Sequence, residues 1–326
     1  MGNGSIEAYH NQERQEGTLH RGYSGEPRST QTSSQRRSQT TVDRDRSDPS
    51  TQHDKVDGRT LQWIASYPKS GNTWVRMFLS AYLNGGNVAI NSAHSTLSDD
   101  LNAHYYRILS LKPLSQLTQY EVLALRPATL LYLRDSSPKN TFVKTHNAVL
   151  ASGGVSLIPN HITKRAIYIV RDPRDICISL ASHCEVSIDT AIEMMNSPTQ
   201  ILRRGDLFHV ISSWSSHVAS WSGRKNYPVI VVKYYNLLQD PVSEFKKLLN
   251  FCEIEIDTNL LLKSVENSSF RRLKEQEEAS KFVENPSNQP FFRVGKAGNW
   301  KKVLSDEQSA RIESNHHDMM VKFGYL

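Results

Sequence analysis

Residues 62–83 read QWIASYPKSGNTWVRMFLSAYL, and this stretch decides the fold. Its opening is apolar and β-branched or aromatic at Trp63, Ile64 and Tyr67, which predicts a buried strand. Pro68-Lys69-Ser70-Gly71 punctuates the run, and Trp74, Phe78 and Tyr82 then recur at helical spacing. Strand, tight loop and helix in that order turn bare N–H groups outward at a helix start, where the helix dipole favours negative charge. Gly71 lets a ligand approach the backbone, Ser70, Asn72 and Thr73 offer hydroxyl or amide groups, and Lys69 adds positive charge. The loop predicts a site for phosphate or a relative of phosphate. It is not the common nucleoside-triphosphate loop, because GxxxxGK[ST] ends in Gly-Lys-Ser/Thr and here the lysine precedes the glycine.

Outward from this stretch, composition narrows the partners. The 326-residue chain carries a net charge of +6, a mild excess that suits an anionic ligand and lacks the clustered basic footprint of a nucleic-acid binder. Its three cysteines, Cys177, Cys184 and Cys252, sit in apolar or helical contexts and predict neither a disulfide framework nor a metal site; a reducing, cytoplasmic setting fits them. No run approaches the roughly 20 apolar residues of a membrane span, and the N-terminus lacks a signal peptide's apolar core, so a soluble protein with no membrane partner is expected. Residues 1–58 are rich in Ser, Thr, Gln, Arg, Asp and Gly and contain no Phe, Trp or Cys, which predicts a disordered tail before one domain at 59–326.

Along that domain, Asn84-Gly85-Gly86-Asn87 stops the first helix. A Leu- and Tyr-rich stretch follows to residue 140, broken by Pro113, Pro127 and Pro138, and predicts short helices that cover an active site. Residues 141–146, TFVKTH, read as a strand with a polar end; residues 166–170, AIYIV, read as a buried strand before a helix carrying Ile176, Ser179, Leu180 and His183. Residues 188–221 read as helical, with Trp214 and Trp221 in the core. Residues 228–234, PVIVVKY, give a further strand, Asp240-Pro241 opens an amphipathic helix, and a terminal helix runs from about Asp306 to Gly324. Strands alternating with helices predict an α/β fold whose central parallel sheet is flanked by helices. Its ligands bind beyond the carboxyl ends of the strands, where Lys69, His146, Arg171 and Tyr234 converge. With no HExxH, no paired CxxC, and His316-His317 adjacent on the terminal helix and expected to be solvated, no metal is expected.

YPKSGNTW resembles the 5′-phosphosulfate loop, YPKSGTTW, of the sulfotransferases that use 3′-phosphoadenosine 5′-phosphosulfate (PAPS), with Asn72 in place of one threonine. Three further segments are similar to elements of that family and occur in its order. FVKTH resembles the strand that carries the catalytic histidine, IYIVRDPRDICISLASH the 3′-phosphate segment with Arg171 and Ser179 eight apart, and FFRVGKAGNWKK the RKGxxGxWK element. The resemblance implies a three-layer, P-loop-like fold and in-line transfer of a sulfuryl group to a hydroxyl or amine of a small-molecule acceptor. Adenosine 3′,5′-bisphosphate (PAP) would be released. By the same resemblance His146 is the base and Lys69 offsets charge on the leaving oxygen, while Lys144 either neutralises sulfuryl oxygens or supports the loop.

For the nucleotide, the resemblance assigns Lys69, Ser70, Gly71, Asn72 and Thr73 to the 5′ side, and Arg171, Ser179, Arg293 and Gly295 to the 3′-phosphate. Val294 stands where the family has a lysine, with Lys296 two residues on. Trp74 and Phe270 would face the adenine and Tyr234 would supply a hydroxyl, although Tyr234-Tyr235-Asn236-Leu237 departs from the family's YEDL. The family's dimer motif, KxxxTVxxxE, is absent after Trp300, which leaves oligomeric state open. Two competitors are a nucleotide kinase, which should carry a Walker loop and a magnesium-binding aspartate, and a nucleotide binder without turnover, which has no need of a base.

Overall fold

The computed structural model describes residues 58–92, 97–137, 141–223, 225–285 and 289–326. The tail expected at 1–58 lies outside them up to residue 57, as does Pro138. β1 (Leu61–Ser66) leads through the loop into α1 (Asn72–Leu83). β2 (Ser98–Asp99), α2 (Ala103–Leu109), α3 (Gln119–Ser136) and β3 (Thr141–Thr145) follow. A small hairpin, β4 (Ala151–Ser152) and β5 (Val155–Ser156), precedes β6 (Thr163–Val170), α4 (Pro173–Cys184) and α5 (Ile188–Asn196). A second hairpin, β7 (Ile201–Arg204) and β8 (Leu207–Val210), is followed by α6 (Trp214–Ser222), β9 (Val229–Lys233) and α7 (Tyr234–Gln239). Then come α8 (Pro241–Phe251), α9 (Thr258–Asn267), α10 (Phe270–Ala279) and α11 (Asp306–Phe323).

The main sheet runs β2-β3-β1-β6-β9, every pairing parallel. β1 lies at its centre and is buried at all six positions, as a strand with helices on both faces must be. Alternation along the strands sorts the core into two layers. Trp63, Val143 and Tyr168 join one cluster with residues of α3, α4, α6 and α11; Ile64, Phe142, Ile167 and Ile169 join the other with α1, α8 and α9. The register pairs Ala65 with Thr145, Ser66 with Ile169 and Val170 with Lys233. The loops after β1, β3, β6 and β9 therefore open on one edge, as the three-layer α/β reading expected.

Three local expectations are corrected. Pro127 does not break its segment but lies inside α3, exposed, in a helix started by a Thr118–Glu121 capping box. Buried Val122, Leu123, Arg126, Thr129, Leu130 and Leu133 on both sides of it outweigh the one backbone hydrogen bond it removes. Residues 188–221 are not continuously helical: Gly205, at φ 60°, and Asp206 turn a hairpin that pairs Leu202 with His209 and Arg203 with Phe208. Finally, His316 is buried, with Nδ1 2.9 Å from Ser215 Oγ, because it shares a face of α11 with Ile312, Met320 and Phe323; His317 is exposed.

Pro127→Ala restores a backbone donor at an exposed helical position, so it should stabilise the protein by about 1–2 kcal/mol in urea unfolding. A loss of stability would show that the ring has a packing role.

Candidate active site

The loop after β1 holds two residues at positive φ, Lys69 at 67° and Gly71 at 106°. Gly71 is constrained a second time, because a Cβ there would stand 2.6 Å from the Tyr234 ring at the start of α7. Asn72, the departure from the usual loop, is buried and donates from Nδ2 to the Ile64 carbonyl at 3.0 Å. It thereby ties the start of α1 to the strand behind it. Ser70 is fully buried, and among the described residues its hydroxyl has no hydrogen-bond partner. Trp74 stands edge-on to Tyr234, ring centroids 6.1 Å apart, and to Phe245 at 5.8 Å.

His146 follows β3. Its Nδ1 lies 2.8 Å from the Ser66 carbonyl, which can only accept, so Nδ1 carries the hydrogen and Nε2 keeps a lone pair. Burial, reinforced by Lys144 and His209, holds the ring's pKa well below its ordinary value, so it is neutral at pH 7 with the Nε2 lone pair unprotonated. Lys144 Nζ lies 3.1 Å from Asp99 Oδ2 and 3.5 Å from Glu284 Oε2.

Arg171, after β6, donates to the Lys69 carbonyl at 3.0 Å and to the Lys296 carbonyl at 3.2 Å, with its guanidinium 4.5 Å above the Tyr234 ring. Asp172 does not take it; that carboxylate caps α4 and pairs with Arg174 at 2.8 Å. The fork thus bridges the loop to the strap at residues 291–300. The strap is pinned at both ends: Glu277 accepts from the Phe291 and Phe292 amides at 2.7 and 2.8 Å, and Asp175 from those of Gly298 and Trp300 at 2.7 and 3.1 Å. Gly295, at φ 61°, packs so closely on Phe270 that a Cβ would collide with the ring. Arg293 and Val294 are exposed beside it.

These elements enclose one cavity of about 550 Å³. Lys69, Gly71, Asn72, Thr73, Trp74, Lys144, His146, Arg171, Ser179, Tyr234, Phe270, Arg293, Val294 and Gly295 all line it; Ser70 lies behind the wall. Among the described residues the Leu/Tyr-rich insertion contributes nothing to the lining. The β7–β8 hairpin takes that place with Leu202, Arg204 and His209. Asp99, Asp100 and His209 bring ligand atoms within 4.8 Å of one another. Lys144 and Arg204 already neutralise Asp99, and Arg126 neutralises Asp100, so the cluster is an ion-pair network.

Known proteins resemble this chain. The sulfotransferase domain family matches residues 60–324. The chain belongs to that family. Sulfotransferase 1B1 of Mus musculus is 26% identical over 269 residues, covering 79% of this chain and 81% of that protein. Luciferin sulfotransferase of Photinus pyralis is 24% identical over 262 residues, covering 75% and 67%. Mouse sulfotransferase SULT7A1, solved with PAP, has a TM-score of 0.55 at 20% identity, covering 80% of this chain and 84% of its own. Retinol dehydratase, solved with retinol and PAP, has a TM-score of 0.55 at 19% identity, covering 80% and 81%. Both share its three-layer, P-loop-like fold. The protein is an enzyme, and its reaction is sulfuryl transfer.

Sequence reading missed several residues that line the sulfotransferase cavity: Asp175, His183, Arg204, His209 and Glu284. A signal for two existed, since Gly205-Asp206 between apolar runs marks a hairpin that brings Arg204 and His209 inward. Glu284 is held by Arg76 at 2.5 Å, across 208 residues of sequence, and no local pattern announces it.

Burial, with Arg293 and Arg171 nearby, pushes the Lys69 ammonium down to about 7. Near pH 7 it is therefore about half protonated, and an anion bound beside it raises its pKa and draws in a proton. PAP should bind with proton uptake and more weakly as pH rises from 6 to 8. Titration calorimetry in buffers of different ionisation enthalpy measures the uptake; Lys69→Met should remove most of it, and unchanged uptake in that variant would contradict the assignment.

Proposed function

We propose that this sulfotransferase moves a sulfuryl group from PAPS to a hydroxyl or amine of a small-molecule acceptor, releasing PAP. The observation that carries the proposal is that Lys69, His146 and Arg171, from the ends of three adjacent parallel strands, line one cavity. Arg171 is bonded to the loop that carries Lys69.

The residues suit the donor. The buried Ser70 hydroxyl and the buried Arg171 Nε, both without partners among the described residues, are polar groups that an anionic ligand can use. PAPS supplies the activated sulfuryl group and a good leaving phosphate. Arg171, Ser179 and Arg293 would hold its 3′-phosphate at the start of α4, whose dipole favours an anion. Gly71, Asn72, Thr73 and Lys69 would hold the 5′ side, and Trp74, Tyr234 and Phe270 the base. Lys296 follows Val294 and its backbone carbonyl engages Arg171, so the missing lysine charge has a neighbour that can replace it.

At the acceptor, His146 Nε2 takes the proton of the attacking hydroxyl or amine, while its Nδ1–H to Ser66 fixes the tautomer. Lys69 offsets charge on the leaving oxygen, and Lys144 lies on the same wall to offset charge on the sulfuryl oxygens. The acceptor end of the cavity, walled by Leu202, Val283 and Phe291 beside charged residues, suits a small amphipathic molecule.

The catalytic unit spans 59–326 in this reading. Among the described residues no helix is long and apolar enough to cross a membrane, and all three cysteines are free thiols, in keeping with a cytoplasmic enzyme.

His146→Ala should lower kcat by about a hundredfold or more while PAP affinity changes little. Arg171→Ala should instead raise the KM for PAPS about tenfold or more. Full activity in the first variant, or an unaltered KM in the second, would overturn the corresponding role.

A further inference from the structure

Asp100 directly follows β2, is fully buried, and donates its backbone N–H to the Lys144 carbonyl at 3.2 Å. Its carboxylate collects four donors. Oδ2 accepts from Arg126 at 2.7 Å, Thr145 Oγ1 at 2.7 Å and Asn147 Nδ2 at 3.0 Å, and Oδ1 accepts from His209 Nε2 at 2.9 Å. Thr145 and Asn147 are the chain neighbours of His146 on either side. Asp99, one residue earlier, holds Lys144. Two consecutive carboxylates thus grip the segment 144–147 from the adjacent strand.

The β7–β8 hairpin also holds this segment and the residue after it. Val210 N–H donates to Asn147 Oδ1 at 2.8 Å, and Ala148 N–H donates to the Val210 carbonyl at 2.9 Å. This docking sets the His209 ring against the His146 ring, centroids 5.4 Å apart and planes at 81°, with both rings on the cavity wall.

We propose that Asp100 and His209 form a positioning dyad that holds the His146 ring in its reactive orientation. The proposal rests on the reading of His146 as the base. The contacts of Nδ1 with Ser66, 2.8 Å to the carbonyl and 3.4 Å to the hydroxyl, leave that ring free to tilt about its axis; a planar group packed against it, ring or amide, removes the freedom, provided it cannot turn itself. His209 cannot turn, because its Nε2–H is committed to a buried carboxylate whose other oxygen is saturated. In so dry a setting each of these charge-assisted bonds is strong, and the network is satisfied throughout. The dyad also explains why the hairpin is docked on the residues after His146: without that docking His209 would not reach it.

Three substitutions at one position test this. Gln places an amide nitrogen where His209 Nε2 stands and can still donate to Asp100; Asn is too short to do so, and Ala offers no donor. His209→Ala and His209→Asn should each lower kcat by about tenfold or more with the KM for PAPS within about twofold, since a misplaced base slows chemistry and the nucleotide contacts lie elsewhere. His209→Gln should recover most of the lost kcat. Near-normal kcat in His209→Asn, or a Gln variant as slow as the Asn variant, overturns the dyad; this pair decides the matter even if the Ala protein does not fold. His146→Ala in the same assay separates the two readings. If it stays active, the base assignment fails and the dyad with it; if it is inactive while His209→Asn is unimpaired, only the dyad fails.

Discussion

The hydrogen bond between His146 Nδ1 and the Ser66 carbonyl, 2.8 Å long, joins the ends of two adjacent parallel strands. Much of the molecule depends on that junction. Register brings Ala65 level with Thr145, so the residues that leave β1 and β3 emerge side by side, one strand leading to Lys69 and the other to His146. The bond can form only with hydrogen on Nδ1, which leaves Nε2 as the basic atom. Sheet geometry thereby selects a tautomer.

Crowding charges at one sheet edge has a cost that the surroundings distribute. Cations and carboxylates there are largely withdrawn from water, and each buried charge without a partner would be strongly destabilising. The structure answers with ion-pair networks around Lys144 and with backbone around Arg171. Asp99, Asp100 and Glu284 pair with Lys144, Arg204, Arg126 and Arg76. Arg171 instead leans on two carbonyls and an aromatic face, which leaves its charge uncancelled for an anion. Burial, with Arg293 and Arg171 nearby, lowers the pKa of Lys69, whose ammonium lies 4.1 Å above the Phe291 ring.

The half of this cavity built by the loop after β1 was legible in the sequence because its constraints are local. A buried strand, a glycine that must take positive φ, and a helix start fall within a dozen residues, and Gly71 and Asn72 each have a backbone reason to be what they are. The half built by the β7–β8 hairpin was not legible. Arg204 and His209 arrive on a hairpin whose apolar residues also fit a helical period, and only the Gly205-Asp206 turn separates the two readings. Glu284 and Asp100 act through partners tens to hundreds of residues away, a kind of information that periodicity does not carry. Pro127 and His316 went astray because packing overrode local preference: one in a helix with buried residues on both sides of it, the other on the inward face of α11.

The central claim is that this cavity moves sulfur, and label transfer tests it directly. Incubating the protein with PAPS labelled with radioactive sulfur and a panel of phenols, alcohols and amines should place the label in an acceptor, in amount equal to the PAP released. PAP formed without labelled acceptor, or PAPS bound tightly with no label moved to any acceptor, would contradict the account.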